Sequence, residues 1–126
     1  MTTFTEGRHA AEFVLSEANP NRSRDSAAIT VGQTLVVGQI VEDDGSGGLT
    51  AMTGTLDTAG ALITQAKGIL LYAGASDSAE SETVSYIARD AEVNGNLITF
   101  PTETSTGNER VLTIASLALL GIIVRD

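Results

Sequence analysis

At 126 residues the chain is long enough for one domain with a modest hydrophobic core. Hydrophobic residues make up 42% of it, which excludes a wholly disordered chain, but aromatic residues make up only 4% and tryptophan is absent. The core must therefore rest on Val, Ile, Leu and Ala. Such a core gains from oligomerisation, because aromatic side chains normally supply the largest burial per residue.

The net charge of −9 is unevenly distributed. The segment up to Ser26 is close to neutral, whereas the remainder of the chain carries almost all of the negative charge. An acidic body repels phosphate backbones, so we expect no direct binding to nucleic acid. The chain has no cysteine, which excludes disulfides and thiol nucleophiles.

No part of the sequence predicts a membrane association. The start of the chain has no signal-peptide pattern, and the longest apolar stretch, 114–124, is too short to cross a bilayer. We therefore expect a soluble product made in the cytoplasm.

The first 26 residues form a distinct segment. They hold two of the three phenylalanines and end in a polar stretch after an Asn-Pro-Asn break at Asn19–Asn21. An apolar terminal segment predicts a partner that covers it. We therefore predict an extended N-terminal arm over 1–26 and a β-rich domain over 27–126, with the apolar residues of the arm at Phe4, Phe13, Val14 and Leu15.

The first half of the body reads as short strands separated by turns. Two β-rich runs, 28–31 and 34–41, precede a break at 42–48, where glycines and aspartates favour turn conformations. Weaker strands are predicted at 49–56 and 61–65.

The second half contains the stronger strand signals. Runs at 67–74 and 82–89 are predicted strands. In the second run the residues on one face, Val84, Tyr86 and Ala88, alternate with Thr83, Ser85 and Ile87 on the other, which predicts a half-buried strand. Asn94-Gly95 is the strongest short hairpin signal, and it predicts pairing of 91–93 with 96–100.

One helix is predicted at about 107–116. Thr106 is its expected cap, Glu109 the capping-box partner, and Val111, Leu112 and Ala115 its inward face. A terminal strand is expected over 119–124, so the fold class is mainly β with one short helix.

Chemistry-bearing residues do not converge on a site. His9, the only histidine, precedes every predicted element of the body, and the loop 43–48 lacks the alternating carboxylates of a calcium-binding loop. Lys67 is interpreted as a surface residue, and the acids around 77–82 as solubilising charges. We therefore expect no enzyme, no metal and no cofactor.

The order of several motifs resembles the lambda-type head decoration proteins of tailed bacteriophages. The arm is similar to a TEG…EF(L/V) start, here Thr5–Gly7 followed by Glu12–Leu15. One departure is Phe100, which stands where the family pattern tends to have tryptophan before proline. The body motifs that carry the resemblance are Leu35–Gly38, Lys67–Leu70, Tyr86–Val93, Leu97–Pro101 and Leu120–Val124.

The resemblance implies a structural protein with a small β-clip-like fold. Homotrimers would bind the outer surface of the expanded head at three-fold and quasi-three-fold sites and cement it against the pressure of packaged DNA. The partner would be the major capsid protein, and the location would be the virion. The implied capsid-binding residues of the arm are Phe4, Glu12, Phe13, Val14 and Leu15.

The residues also permit a second interpretation, a β-rich interaction module of another kind, such as a tail or adhesion component. A small metal-dependent enzyme is a third, although no group of residues converges on such a site.

Overall fold

The computed structural model describes residues 9–76, 82–102 and 108–126, and this part of the chain is mainly β, as predicted. The helices are α1 (Pro20–Ser23) and α2 (Glu109–Leu119). The strands are β1 (Val14–Glu17), β2 (Arg24–Ala28), β3 (Thr34–Leu35), β4 (Ile40–Asp43), β5 (Leu49–Ala51), β6 (Gly68–Leu70), β7 (Gly74–Ala75), β8 (Thr83–Ile87), β9 (Ala91–Asn94) and β10 (Ile122–Arg125).

Most of these strands belong to two sheets. The larger sheet is antiparallel with the order β2-β8-β6-β4-β5, and the smaller has the order β1-β9-β10, with β9 and β10 parallel. β3 and β7 form a separate two-stranded pair. The predicted runs 34–41 and 67–74 are thus each divided between two strands.

Apolar side chains cover both faces of the larger sheet. One core includes Phe13 and Leu117 together with that face of the sheet, and a second core lies on the other face. The prediction of a half-buried strand at 82–89 was wrong at Ile87, which is fully buried on the face opposite Val84, whereas Thr83 on that face is exposed. The central strands contribute Ile40, Ile69 and Ile87 to the first core and Val41, Leu70 and Tyr86 to the second.

Gly68 permits the close packing of the central strands. A Cβ atom at this position would stand 2.6 Å from a ring carbon of Tyr86 and would collide with the carbonyl oxygen of Ile87. A glycine is therefore required where β6 runs beneath this ring. The Lys67 ammonium lies 5.9 Å from the centre of the same ring.

The hairpin predicted at Asn94-Gly95 does not form. β9 pairs with β1 and β10 instead, and the Gly95 N–H donates to the carbonyl oxygen of Arg125. In the segment that was expected to be the partner strand, Thr99 forms an isolated bridge to Gln39. The turn signal was present, but tertiary pairing with strands distant in sequence decided the fold.

Helix α2 also differs from its prediction. It begins and ends later than 107–116, and Gly121, at φ 81°, makes the turn into β10. Its N-cap is Asn108, and Thr106 lies outside the described residues. Val111 and Ala115, predicted to face inward, are exposed. Neither helix of the described ranges is long and apolar enough to cross a membrane.

Candidate functional site

The described part of the N-terminal segment is docked on the body of the chain. The Ala11 N–H donates to the carbonyl oxygen of Leu71 at 3.0 Å, and the Asn94 N–H donates to that of Phe13 at 2.8 Å. Ala11 itself adopts φ 59°, a left-handed conformation that costs an alanine about 1 kcal/mol. Packing beyond this turn must therefore stabilise the docked backbone.

Phe13 supplies that packing. Its side chain is fully buried in the first core, beside residues of β9 and β10. The sequence indicated that this residue needed a partner, and the chain itself provides it. While β1 stays paired with β9, Phe13 has no surface to offer another protein.

Leu15 is oriented differently from Phe13. Val14 pairs with Val93 and Ser16 with Glu92, so the register shifts at Leu15, where β1 is bulged. Leu15 is 54% exposed, and Val14 is half-buried. β1 is also the edge of its sheet, since β9 is its single partner among the described strands. An apolar side chain and an open strand edge thus lie side by side.

A bidentate ion pair holds the end of β1. Arg24 donates from Nε to Glu17 Oε2 at 3.1 Å and from Nη2 to Glu17 Oε1, and the Ser23 hydroxyl donates to Oε2 at 2.6 Å. Hydrogen bonding from Arg24 holds the pKa of Glu17 below its usual value, although partial burial opposes it. Arg22 forms a further ion pair with Asp90 at 3.0 Å.

The remaining residues of the predicted arm contribute less to this picture. Phe4 lies outside the described residues, and Glu12 is exposed. β2 runs through the position of the expected boundary between residues 26 and 27 and pairs with β8 along its length. Residues 9–26 are therefore joined to the body by sheet pairing and packing, and their separate role in binding stays a prediction.

The acidic loop 43–48 is closed by its own hydrogen bonds. Asp44 Oδ1 accepts from the N–H groups of Ser46 and Gly48, and its Oδ2 accepts from the Thr30 hydroxyl at 2.7 Å. The bond from Thr30 is the main cause that lowers the pKa of Asp44. No group of three potential metal ligands occurs among the described residues.

Two shallow cavities are present beside these elements. One, of about 490 Å³, is lined by residues 53–60, and Asp57 is the ionisable residue in its lining. The Asp57 carboxylate accepts from the N–H groups of Ala59 and Ala61, so it closes its own turn. The other cavity, of about 230 Å³, lies between residues 61–65 and α2.

Taken together, the features available for a function are an edge strand, a bulged leucine and apolar surface, which are typical of a protein that binds other proteins. Comparison with known families identifies the class: the model for "Bacteriophage lambda head decoration protein D" matches residues 3–122. The chain belongs to this family of head decoration proteins. No curated protein matches the chain.

The family membership confirms the resemblance seen in the sequence and gives the coarse function. The protein is a structural component of a bacteriophage head, with a role in capsid decoration, and the family is not an enzyme family. The bulge at Leu15 and the Glu17–Arg24 pair were not predicted. Charged residues at both ends of a short polar stretch were the signal for the pair, but only the fold brings them together.

Proposed function

We propose that trimers of this protein bind the outer surface of the expanded phage head at three-fold and quasi-three-fold sites. There they contact the major capsid protein and stabilise the shell against the pressure of packaged DNA. The observation that carries the proposal is the family match, which spans nearly the whole chain. The net charge of −9 supports a position outside the shell, because such a surface is repelled by packaged DNA.

The N-terminal segment, 1–26, is the proposed capsid contact. Leu15 lies at the bulge of an edge strand, where a strand of the capsid protein would find open backbone groups and an apolar side chain together. Phe4, Glu12 and Val14 belong to the same proposed contact. Phe13 supports the contact from beneath, because its burial fixes β1 on the body.

Burial of Leu15 against the capsid would contribute roughly 1.5–3 kcal/mol for each copy. One such contact is weak, since ordering the partner segments costs about 1–2 kcal/mol per residue in backbone entropy. A trimer presents three contacts at once, and the resulting effective concentration raises the overall affinity.

The test is binding to purified expanded heads that lack a decoration protein. We expect saturable co-sedimentation, with copies bound in multiples of three, and little binding to unexpanded procapsids. Decorated heads should also survive heating that disrupts bare ones. Failure to co-sediment with expanded heads would refute the proposed function.

Point variants locate the contact better than truncation does, because deletion of residues 1–18 would also remove Phe13 from the core. Leu15→Glu should weaken head binding about tenfold or more while the protein stays folded. Val31→Glu is the matched control, since Val31 is equally apolar and exposed but lies in the turn before β3. Equal head binding by both variants would exclude Leu15 from the contact.

A further inference from the structure

The two sides of helix α2 are reversed relative to an ordinary surface helix. Three of its four buried residues are polar, Glu109, Thr113 and Ser116, and the fourth is Leu117. The Ser116 hydroxyl accepts a hydrogen bond from the Ala66 N–H at 2.8 Å. Its exposed residues are all apolar: Val111, Ala115, Ala118 and Leu119. Surface helices normally show the opposite arrangement, with charged and polar residues towards water.

The exposure of this apolar side is large. Leu119 is 82% exposed and Val111 is 66% exposed. Arg110, which precedes Val111 in the helix, is engaged elsewhere, because it pairs with Asp126 at 2.9 Å and lies 4.1 Å from the centre of the Phe100 ring. The exposed residues of α2 thus include no charged side chain.

A shallow groove continues this surface. It has a volume of about 230 Å³, and its lining includes Leu112, Ala115 and Leu119 on the helix and Ala61, Leu62 and Gln65 on the facing segment. Ile63, in the same segment, is 62% exposed. The groove is smaller than typical small-molecule sites of about 300–1,000 Å³ and has no ionisable lining residue. Its size and apolar lining suit a side chain of another protein better than a metabolite.

The distribution of charge identifies the partner. Any two copies of this chain repel each other, because each carries −9. The helix surface is an exception to this acidity, since 58–66 and 111–124 contain no Asp, Glu, Lys or Arg. Two copies that meet through these segments bury apolar area without bringing carboxylates together.

We propose that the exposed side of α2 and the adjoining groove, called here the α2 surface, form the contact between copies of this protein. The inference rests on the proposed trimer and assigns its interface, with Leu119 as the central side chain. It also explains the reversed helix: the small side chains of Thr113 and Ser116 are buried against the body, and the larger apolar side chains are directed to the neighbouring copy.

The test compares the assembly of full-length variants in the absence of heads, by sedimentation velocity and native mass spectrometry. The wild-type protein should form a trimer. Leu119→Glu should raise the dissociation constant about tenfold or more and shift the protein to monomer. Ala115→Glu provides a second disruption of the same surface, and circular dichroism checks that both variants are folded.

Val31→Glu is again the matched control. Val31 is 60% exposed and lies between Ile29 and Leu35, which belong to the second core, whereas α2 packs on the first. It introduces the same charge on the other side of the larger sheet and should leave the trimer intact.

A wild-type protein that stays monomeric up to its solubility limit would overturn the inference, as would two folded α2 variants that assemble like the wild type. If the wild type is monomeric and Leu119→Glu loses head binding, the capsid protein covers the α2 surface, which also overturns it. Co-sedimentation with expanded heads tests the proposed function separately, because a trimer that ignores heads would refute that function and leave the α2 surface standing.

Discussion

The N-terminal segment and helix α2 exchange the roles that their sequences suggest. Phe13 belongs to a segment that was expected to await a partner, yet it is buried in the chain's own core. Val111 belongs to a helix that was expected to pack inward, yet it is exposed. An apolar pattern thus indicates that residues will be buried, but it does not indicate which surface will bury them.

The largest expected effect tests the first half of this comparison. Phe13→Ala should lower the free energy of unfolding by about 3–5 kcal/mol, because it leaves a cavity in the first core. Urea unfolding measures the loss. Leu15→Ala, two residues away and exposed, should change it by about 0.5 kcal/mol or less. Equal effects at the two positions would mean that Phe13 is not held in the core.

The second prediction uses two leucines of α2. Leu117→Ala should lower the free energy of unfolding by about 2–5 kcal/mol, since Leu117 is fully buried in the first core. Leu119→Ala should change it by about 0.5 kcal/mol or less when measured at protein concentrations low enough to keep the chain monomeric. A large loss at Leu119 under those conditions would contradict the reversed orientation of the helix.

The fold class could be predicted because it depends on local signals. Runs of β-branched residues interrupted by glycine gave most strands of the larger sheet, but not β2, which lies mostly in the predicted arm. The run 107–116 with its expected capping residues gave a helix close to its true position. The pairing of the smaller sheet could not be predicted, because β9 joins β1 and β10 across distances in sequence that no local turn signal specifies.

The sequence selected a segment for the candidate site but did not give its geometry. The sequence directed attention to Glu12–Leu15, and the structure separates a buried Phe13 from an exposed Leu15 within it. That separation depends on a bulge in β1 that the residue pattern does not encode. The inward side of α2 was missed for a related reason: Thr113 and Ser116 look like surface residues until Ala66 donates to Ser116.

The third prediction concerns the ion pair that joins β1 to β2. Glu17→Gln should lower the free energy of unfolding at neutral pH by about 1–2 kcal/mol, because both partners are partly buried and the pairing is bidentate. The folded-state pKa of Glu17 lies below its ordinary value, so the stabilisation is present above pH 4.5 and is lost as the pH falls through the folded-state pKa. Wild type and variant should therefore converge in acid, as measured by urea unfolding at a series of pH values.

The smallest effect should come from Glu42, a carboxylate of the body with the opposite pH dependence. Burial raises its pKa, although hydrogen bonds with Thr53 oppose the shift. Because the folded state then binds the proton more tightly than the unfolded state, this group favours folding at low pH, and the stabilisation declines as the pH rises through the folded-state pKa. Glu42→Gln removes that decline, so its stability relative to the wild type should increase by up to about 1 kcal/mol between acid and neutral pH. Glu17→Gln must change in the opposite direction over the same range. If both variants follow the same trend, the carboxylate of β1 is not held by Arg24, and the N-terminal segment is less firmly joined to the body than its hydrogen bonds indicate.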